Sequence, residues 1–228
     1  LSRLVGSEMC IRDSYKEVDS NQLRNQNTSS STMKFSSQEY NKGEITETSG
    51  LLLVSNWTDD FVTEFSYTTK DQITSQQSPL GQNLPSFQIN NCGSQGIRCY
   101  LGPDIFRSAN DLKTTTDYLK LKGTYYRDNH KLTFGYENKV WDIYNVFLEA
   151  QDGEYEFDGL AAYQAQTASS FSHNNSRDLT QAGAAAIFEY YLDSIYIQDE
   201  IDLSDKLNVL VGLRSVSYTH LTLPTSPH

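Results

Sequence analysis

From about residue 44 onward, apolar and polar residues of this chain alternate with a period of two, the signature of strands with one apolar face. Six segments carry the pattern. The first, about 44–56, sets Leu51 and Leu53 on one side. The second, about 61–70, sets Phe61, Thr63, Phe65 and Tyr67 against Val62, Glu64, Ser66, Thr68 and Lys70. The third, about 114–127, opposes Leu119, Leu121 and Tyr125 to Lys120, Lys122 and Thr124. The fourth, about 131–147, opposes Leu132, Phe134, Tyr136 and Val140 to Lys131, Thr133, Glu137 and Lys139. The fifth, about 186–203, opposes Ile195, Ile197, Ile201 and Leu203 to Tyr196, Gln198, Glu200 and Asp202. The sixth begins at Leu207 and sets Val209, Val211 and Leu213 against Asn208, Gly212 and Arg214. Residues 15–43 are rich in Ser, Asn, Gln and Thr, lack an apolar period and read as a long loop.

The connections separate a barrel from a soluble sandwich. Thr58-Asp59-Asp60, Asp128-Asn129-His130 and Ser204-Asp205-Lys206 are short and built from turn-forming residues. Turn chemistry also explains the Asp59-Asp60 pair better than a calcium site does. Between these links lie long connections at about 71–113 and 148–186. Strict short-long alternation is the habit of outer-membrane barrels, whereas compact soluble domains rarely carry unstructured loops of that length. The strands reach or exceed the roughly 9–11 residues that cross a bilayer, and globular strands average nearer 5–6. Trp57, Phe61, Tyr125 and Tyr126 sit by the short turns, and Trp141, Tyr144 and Phe147 toward a long connection, as two interfacial girdles would. The predicted fold is all-β: an antiparallel up-and-down transmembrane β-barrel, represented by about six strands of a larger barrel.

Bulk composition narrows the function without opposing this fold. Hydrophobic residues make up 37% of the 228 and mean hydropathy is −0.56. No run approaches the roughly 18 apolar residues of a membrane helix, a test that barrels escape because only alternate residues face lipid. The net charge of −11 and the absence of a basic stripe exclude nucleic acid as a partner. Three cysteines occur, Cys10, Cys92 and Cys99, with no C-x-x-C and no histidine at zinc-ligand spacing. Cys92 and Cys99 enclose a loop containing Gly93 and Gly96, which permits the reversal a disulfide requires. A bridge in an oxidising compartment is favoured over two free thiols.

Both ends read as foreign. Met9-Cys10-Ile11-Arg12-Asp13 and Val216-Ser217-Tyr218-Thr219-His220 can be encoded by stretches that are reverse complements of each other, and both resemble translated adapters of transposon-made sequencing libraries. Residues 1–14 and 215–228 are therefore expected to be non-native tails flanking a partial barrel at 15–214. Cys10 leaves with them, and the remaining pair is even.

Two segments carry a family resemblance. Asp128-Asn129-His130-Lys131-Leu132-Thr133-Phe134-Gly135-Tyr136-Glu137 resembles the "HxLxFGxE" turn and strand of TonB-dependent receptors. Tyr196-Ile197-Gln198-Asp199-Glu200-Ile201, followed by Leu203-Ser204-Asp205-Lys206-Leu207-Asn208-Val209 and Gly212-Leu213-Arg214, resembles their "YxQDxW…SDKLTLxxGLR" hairpin, with Ile201 where the family usually has an aromatic residue. Gly153-Glu154-Tyr155-Glu156-Phe157 and Leu101-Gly102-Pro103-Asp104-Ile105-Phe106 resemble the Oar-like receptors that carry a carboxypeptidase-regulatory-like domain. The resemblance covers roughly 44–214. It implies a barrel of about 22 strands plugged by an N-terminal domain, in a bacterial outer membrane. It also implies capture of a scarce extracellular nutrient (siderophore, cobalamin, glycan or peptide) and uptake energised through a TonB partner. That partner would contact a segment this chain lacks.

Two rivals compete with the receptor. A soluble all-β ligand-binding module would extract without detergent. An outer-membrane barrel enzyme needs a nucleophile and base close together, but His130 lies in a tight turn and His173 in a long connection, and no G-x-S-x-G occurs. We expect no catalytic, cofactor-binding or metal residues, and no cofactor. The Cys92–Cys99 loop is the best candidate for a substrate-facing element, and equally for a stapled loop without a ligand role.

Overall fold

A computed structural model describes residues 9–24, 28–81, 83–93 and 96–220. Seven long strands dominate it: β1 (Met9–Arg24), β3 (Tyr40–Thr58), β4 (Phe61–Gln77), β7 (Ala109–Arg127), β8 (His130–Leu148), β11 (Ala186–Ser204) and β12 (Leu207–His220). The shorter elements between them are β2 (Thr32–Lys34), β5 (Ser86–Asn90), β6 (Arg98–Leu101), β9 (Glu154–Phe157), helix α1 (Leu160–Gln164) and β10 (Ser170–Ser172). The long strands form one antiparallel meander in the order β1-β3-β4-β7-β8-β11-β12, with β1 and β12 as its two outer strands. Three two-residue turns close one end, since Thr58 pairs Phe61, Arg127 pairs His130 and Ser204 pairs Leu207. All long connections leave from the other end.

The six expected strands are present; β3, β4 and β7 run further toward the long connections than the alternation suggested, β8 and β11 match it closely, β12 begins at Leu207 as expected, and a seventh strand was missed. Residues 15–24 belong to β1, paired with β3 from Met9↔Ser55 to Arg24↔Tyr40. Tyr15, Val18 and Leu23 are too sparse to show a period, so this strand is held by its backbone ladder rather than by an apolar face. The pairing also runs through the segments set aside as tails: β1 begins at Met9, and Ser215 to His220 pair with β11. Residues 1–8 and 221–228 lie outside the described residues.

Register decides which side chains share a surface. Leu53, Phe65, Leu121, Tyr136 and Ile195 form one row across five strands. Thr63, Gly123, Phe134, Ile197 and Leu213 form the next. This apolar face is uncovered: Ile195 is 61% exposed and Leu213 76%. A row of Glu47, Asp71, Thr115, Asp142 and Glu189 bounds it toward the long connections. On β4 the band runs eight residues from Phe61 to Thr69, roughly 26 Å along the strand at about 3.3 Å each. At a tilt of about 40° that is roughly 20 Å of height, close to the ~25 Å apolar band of an outer-membrane barrel. On β11 the band is interrupted by Asp193, which accepts from Tyr136 Oη at 2.6 Å and Asn138 Nδ2 at 2.8 Å, and on β7 by Asp117, which accepts from Tyr67 Oη at 2.6 Å.

The opposite face is wet. Glu64, Lys122, Gly135, Tyr196 and Arg214 make one row, and Ser66, Lys120, Glu137, Ser194 and Val216 the next. Lys122 Nζ donates to Glu64 Oε1 at 2.8 Å, and Arg214 Nη2 donates to Glu137 Oε2 at 2.6 Å and Ser194 Oγ at 2.8 Å. Tyr196 lies across Gly135, where a Cβ would stand 2.5 Å from its Oη and 2.6 Å from Leu121 O. The glycine of "FGYE" and the tyrosine of "YIQDE" are therefore a cross-strand pair. His130 Nδ1 and Asp199 Oδ2, 2.7 Å apart, join the same two segments near the turns.

The expected aromatic girdles are corrected in part. Trp57 hydrogen-bonds Thr63 Oγ1 at 2.8 Å, and Phe61 and Tyr125 pair on the apolar side. By strand alternation Tyr126, Trp141 and Phe147 fall on the wet face, Trp141 packing on Tyr190 at 5.1 Å. Tyr144 alone of the long-connection group faces the apolar side. Proximity to a strand end does not settle a side chain's face; its parity does.

Ile195→Lys should cost about 2–4 kcal/mol at the middle of the apolar band, seen as loss of the heat-modifiable folded band on unheated gels. Lys120→Gln, on the wet face, should leave that band intact.

Candidate functional site

The long connections are not slack. Connection one (25–39) supplies β2, connection two (78–108) supplies β5 and β6, and connection three (149–185) supplies β9 and β10. Together these strands make a second sheet in the order β10-β9-β5-β6-β2. The expectation of two unstructured loops is thus corrected: each connection is too short to fold by itself, but pairing with the others satisfies its backbone groups. Alternation in Phe87-Gln88-Ile89 and in Glu154-Tyr155-Glu156-Phe157 was the available signal.

Polar and apolar contacts tie this cap into one body. Gln38, 2% exposed, donates its Nε2 to Gly102 O at 2.8 Å and Pro103 O at 3.1 Å, joining connection one to two. Gly102 has φ +76°, and a Cβ there would meet Pro85 O at 2.6 Å, so only glycine fits. Asp104, buried, caps Phe106 N at 2.9 Å and lies 3.4 Å from Lys34 Nζ. Connection three docks through Ser86 N to Gly153 O at 2.9 Å and Ala150 N to Ile105 O at 2.9 Å. Ile89, Cys99 and Phe157 form the apolar core, with Phe87, Leu101 and Tyr163 packed against it. The structure joins Cys92 to Cys99, Cα atoms 5.9 Å apart, where β5 turns into β6. Gly96 N donates to Asn91 Oδ1 at 2.8 Å inside that loop.

The cap has two chemically distinct faces. On one, Glu156 accepts from Asn90 Nδ2 at 2.7 Å, Gln88 Nε2 at 3.1 Å and Ser170 Oγ at 3.0 Å. Glu154 lies on the same face with its Oε1 buried and, among the described residues, without a hydrogen-bond partner. Burial raises its pKa from the ordinary 4.5, and the charges of Glu149, Glu156 and Asp104 push the same way. On the other face Phe87, Tyr155 and Phe171 are register partners across three strands.

The sites weighed from the sequence fall apart in space. The Cys92–Cys99 loop is in the cap, as is His173, stacked 6.2 Å from Phe171. His130 and the Asp59-Asp60 turn are at the opposite end, where Asp60 O accepts from Tyr126 N at 2.8 Å. Among the described residues no group of His, Cys, Asp and Glu is placed to hold a metal ion.

A family model for an outer membrane beta barrel domain matches residues 9–225. The chain belongs to that family. Its uncovered apolar rows are thereby the barrel's outer surface and its charged rows the inner one, and family membership points to a bacterial outer membrane. No curated protein and no solved structure matches the chain. No described helix is long and apolar enough to cross a membrane; this family crosses with strands.

Two consequences of the cap's construction can be measured. Because the folded pKa of Glu154 is raised, the carboxyl favours the fold when protonated. That contribution is complete below the ordinary 4.5 and is lost as pH rises through the raised value. Glu154→Gln should therefore slow hydrogen exchange in β5 and β9 at neutral pH, with the difference vanishing below the ordinary value. Gly102→Ala should speed exchange in the cap, while amides of β7 and β8 near their turn keep wild-type protection.

Proposed function

We propose that this chain is barrel and outer cap of a TonB-dependent receptor, taking up a scarce nutrient with energy supplied through TonB. The observation that carries the reading is the asymmetry of the two ends. One end is closed by two-residue turns, and at the other three connections are folded into a single capping sheet stapled at Cys92–Cys99. A porin-like pore has no need of such a structured cap, whereas a receptor must present fixed side chains to a dilute solute before moving it. Support also comes from the two receptor-like segments, which lie side by side as β8 and the β11–β12 hairpin and interlock at Gly135 and Tyr196.

On this reading the cap faces outward and the tight turns face the periplasm. The nutrient is a siderophore, cobalamin, glycan or peptide, and the protein carries it without chemical change. The outer surface meets membrane lipid, and the protein partner is the TonB complex.

Cysteine introduced at Leu179, an exposed site in connection three, should react with an impermeant maleimide on intact cells, whereas cysteine at Asp205 should react only after lysis. Equal labelling would reject the orientation. Deletion of the gene and depletion of TonB should produce the same growth defect on limiting nutrient; a defect of the deletion that persists unchanged in TonB-depleted cells would reject energised uptake.

A further inference from the structure

The cap holds a cavity of about 620 Å3, lined by Phe87, Tyr155, Phe157, Tyr163, Gln164 and Gln166. That volume is in the range of small-molecule sites. Its floor is a set of rings held by the sheet: Phe87 and Tyr155 are near-parallel at 6.0 Å, and Phe157 meets Tyr163 edge-on at 5.2 Å. Phe171, 4.6 Å from Tyr155, extends the aromatic surface past the cavity's edge. Among the described residues no charged side chain lines the space. The hydroxyls of Tyr155 and Tyr163 and the amides of Gln164 and Gln166 make no hydrogen bond to another described residue.

Gln166 adds an independent observation. Helix α1 ends in a Schellman motif, with Gln166 N donating to Tyr163 O and Thr167 N to Ala162 O, each at 3.0 Å. The residue in the left-handed position of that motif is ordinarily glycine. Here it is Gln166, at φ +55°. A side chain is thus kept where the backbone favours none, and it projects into the cavity's lining. Ala150 and Leu179 share this conformation, and what sets Gln166 apart is its place in the lining.

We infer that this cavity binds an uncharged saccharide. Sugar rings present C–H faces that stack on the negative faces of aromatic rings, and their hydroxyl edges need groups that both donate and accept. Each glutamine amide offers two donors and an acceptor. An ionic ligand would find no counter-charge, and an apolar one would make no use of the two exposed amides at the rim, which saccharide hydroxyls can bond. The inference deepens the receptor reading and rests on it for the outward direction of the cap.

The test is titration calorimetry on the full-length protein in an amine-oxide detergent, which carries no sugar headgroup to compete. The probes are maltotriose, cellotriose, chitotriose and the dipeptide Phe-Phe. At least one trisaccharide should bind saturably. Gln166→Gly should weaken it about tenfold, as expected for lost hydrogen bonds, while thermal stability holds or rises because the backbone strain is relieved. Tyr155→Ala should abolish binding, and Tyr155→Phe, which keeps the ring and the fold, should retain it within a few-fold. The proposal is overturned if no trisaccharide binds, if Phe-Phe binds in their place, or if Gln166→Gly binds as wild type does. Binding is read without transport, so uptake that proves independent of TonB would sink the receptor reading and leave the pocket standing.

Discussion

The structure depends on the register among seven antiparallel strands, which shifts only beside two of the tight turns, between Asn56 and Thr58 and between Asp202 and Ser204. With a side-chain period of two, a slip of one residue would exchange the two surfaces of a strand and carry Leu121 or Ile195 to the side of Lys122 and Glu64. Continuous ladders hold β4 against β7 from Phe61↔Tyr125 to Ser75↔Asp111, and β8 against β11 from His130↔Ile201 to Asn145↔Ala186. Side chains reinforce the alignment where the faces differ most, through the Lys122–Glu64 and Arg214–Glu137 pairs and the seating of Tyr196 on Gly135. Backbone groups that are paired in this way can sit in hydrocarbon, where unpaired ones could not.

From that alignment the division of labour between the two sheets follows. The large sheet contributes almost nothing to a conventional core; its greasy residues look outward. The buried apolar cluster is instead in the small sheet, around Ile89, Cys99 and Phe157. The cap behaves as a miniature globular unit stabilised as small extracellular domains are, by a disulfide, a compact core and buried polar ties such as Gln38. It sits where the strands have run past the apolar band and their neighbours are water.

How much was legible in the sequence depended on whether a strand separates two different environments. Within the apolar band of β4, β7, β8 and β11, alternation was plain because one side is greasy and the other charged. Beyond the acidic row the contrast fades in β3, β4 and β7, where Ile45 and Ile73 are followed by Gly43, Ser75 and Asp111, and those three strands run past the alternation; β8 and β11, which keep Tyr144 and Ile187, end about where it does. β1 vanished for the same reason. The cap was hidden by another mechanism: its strands are 3–5 residues long and find partners in other connections, as when Phe87 of β5 pairs Tyr155 of β9 in parallel. No local window contains that information. Cys92 and Cys99 could be singled out as a pair by spacing, whereas the amide of Gln166 became a candidate only once its backbone angle was seen.

The parallel pairing of β5 with β9 joins residues nearly seventy positions apart, and the β7–β8 hairpin lies wholly between them. That hairpin holds the two segments side by side, as β3 and β4 hold Gln38 beside Gly102. The small sheet therefore reports correct order in the large one: a barrel assembled with a strand omitted or displaced would hold these partners apart and leave the small sheet unmade.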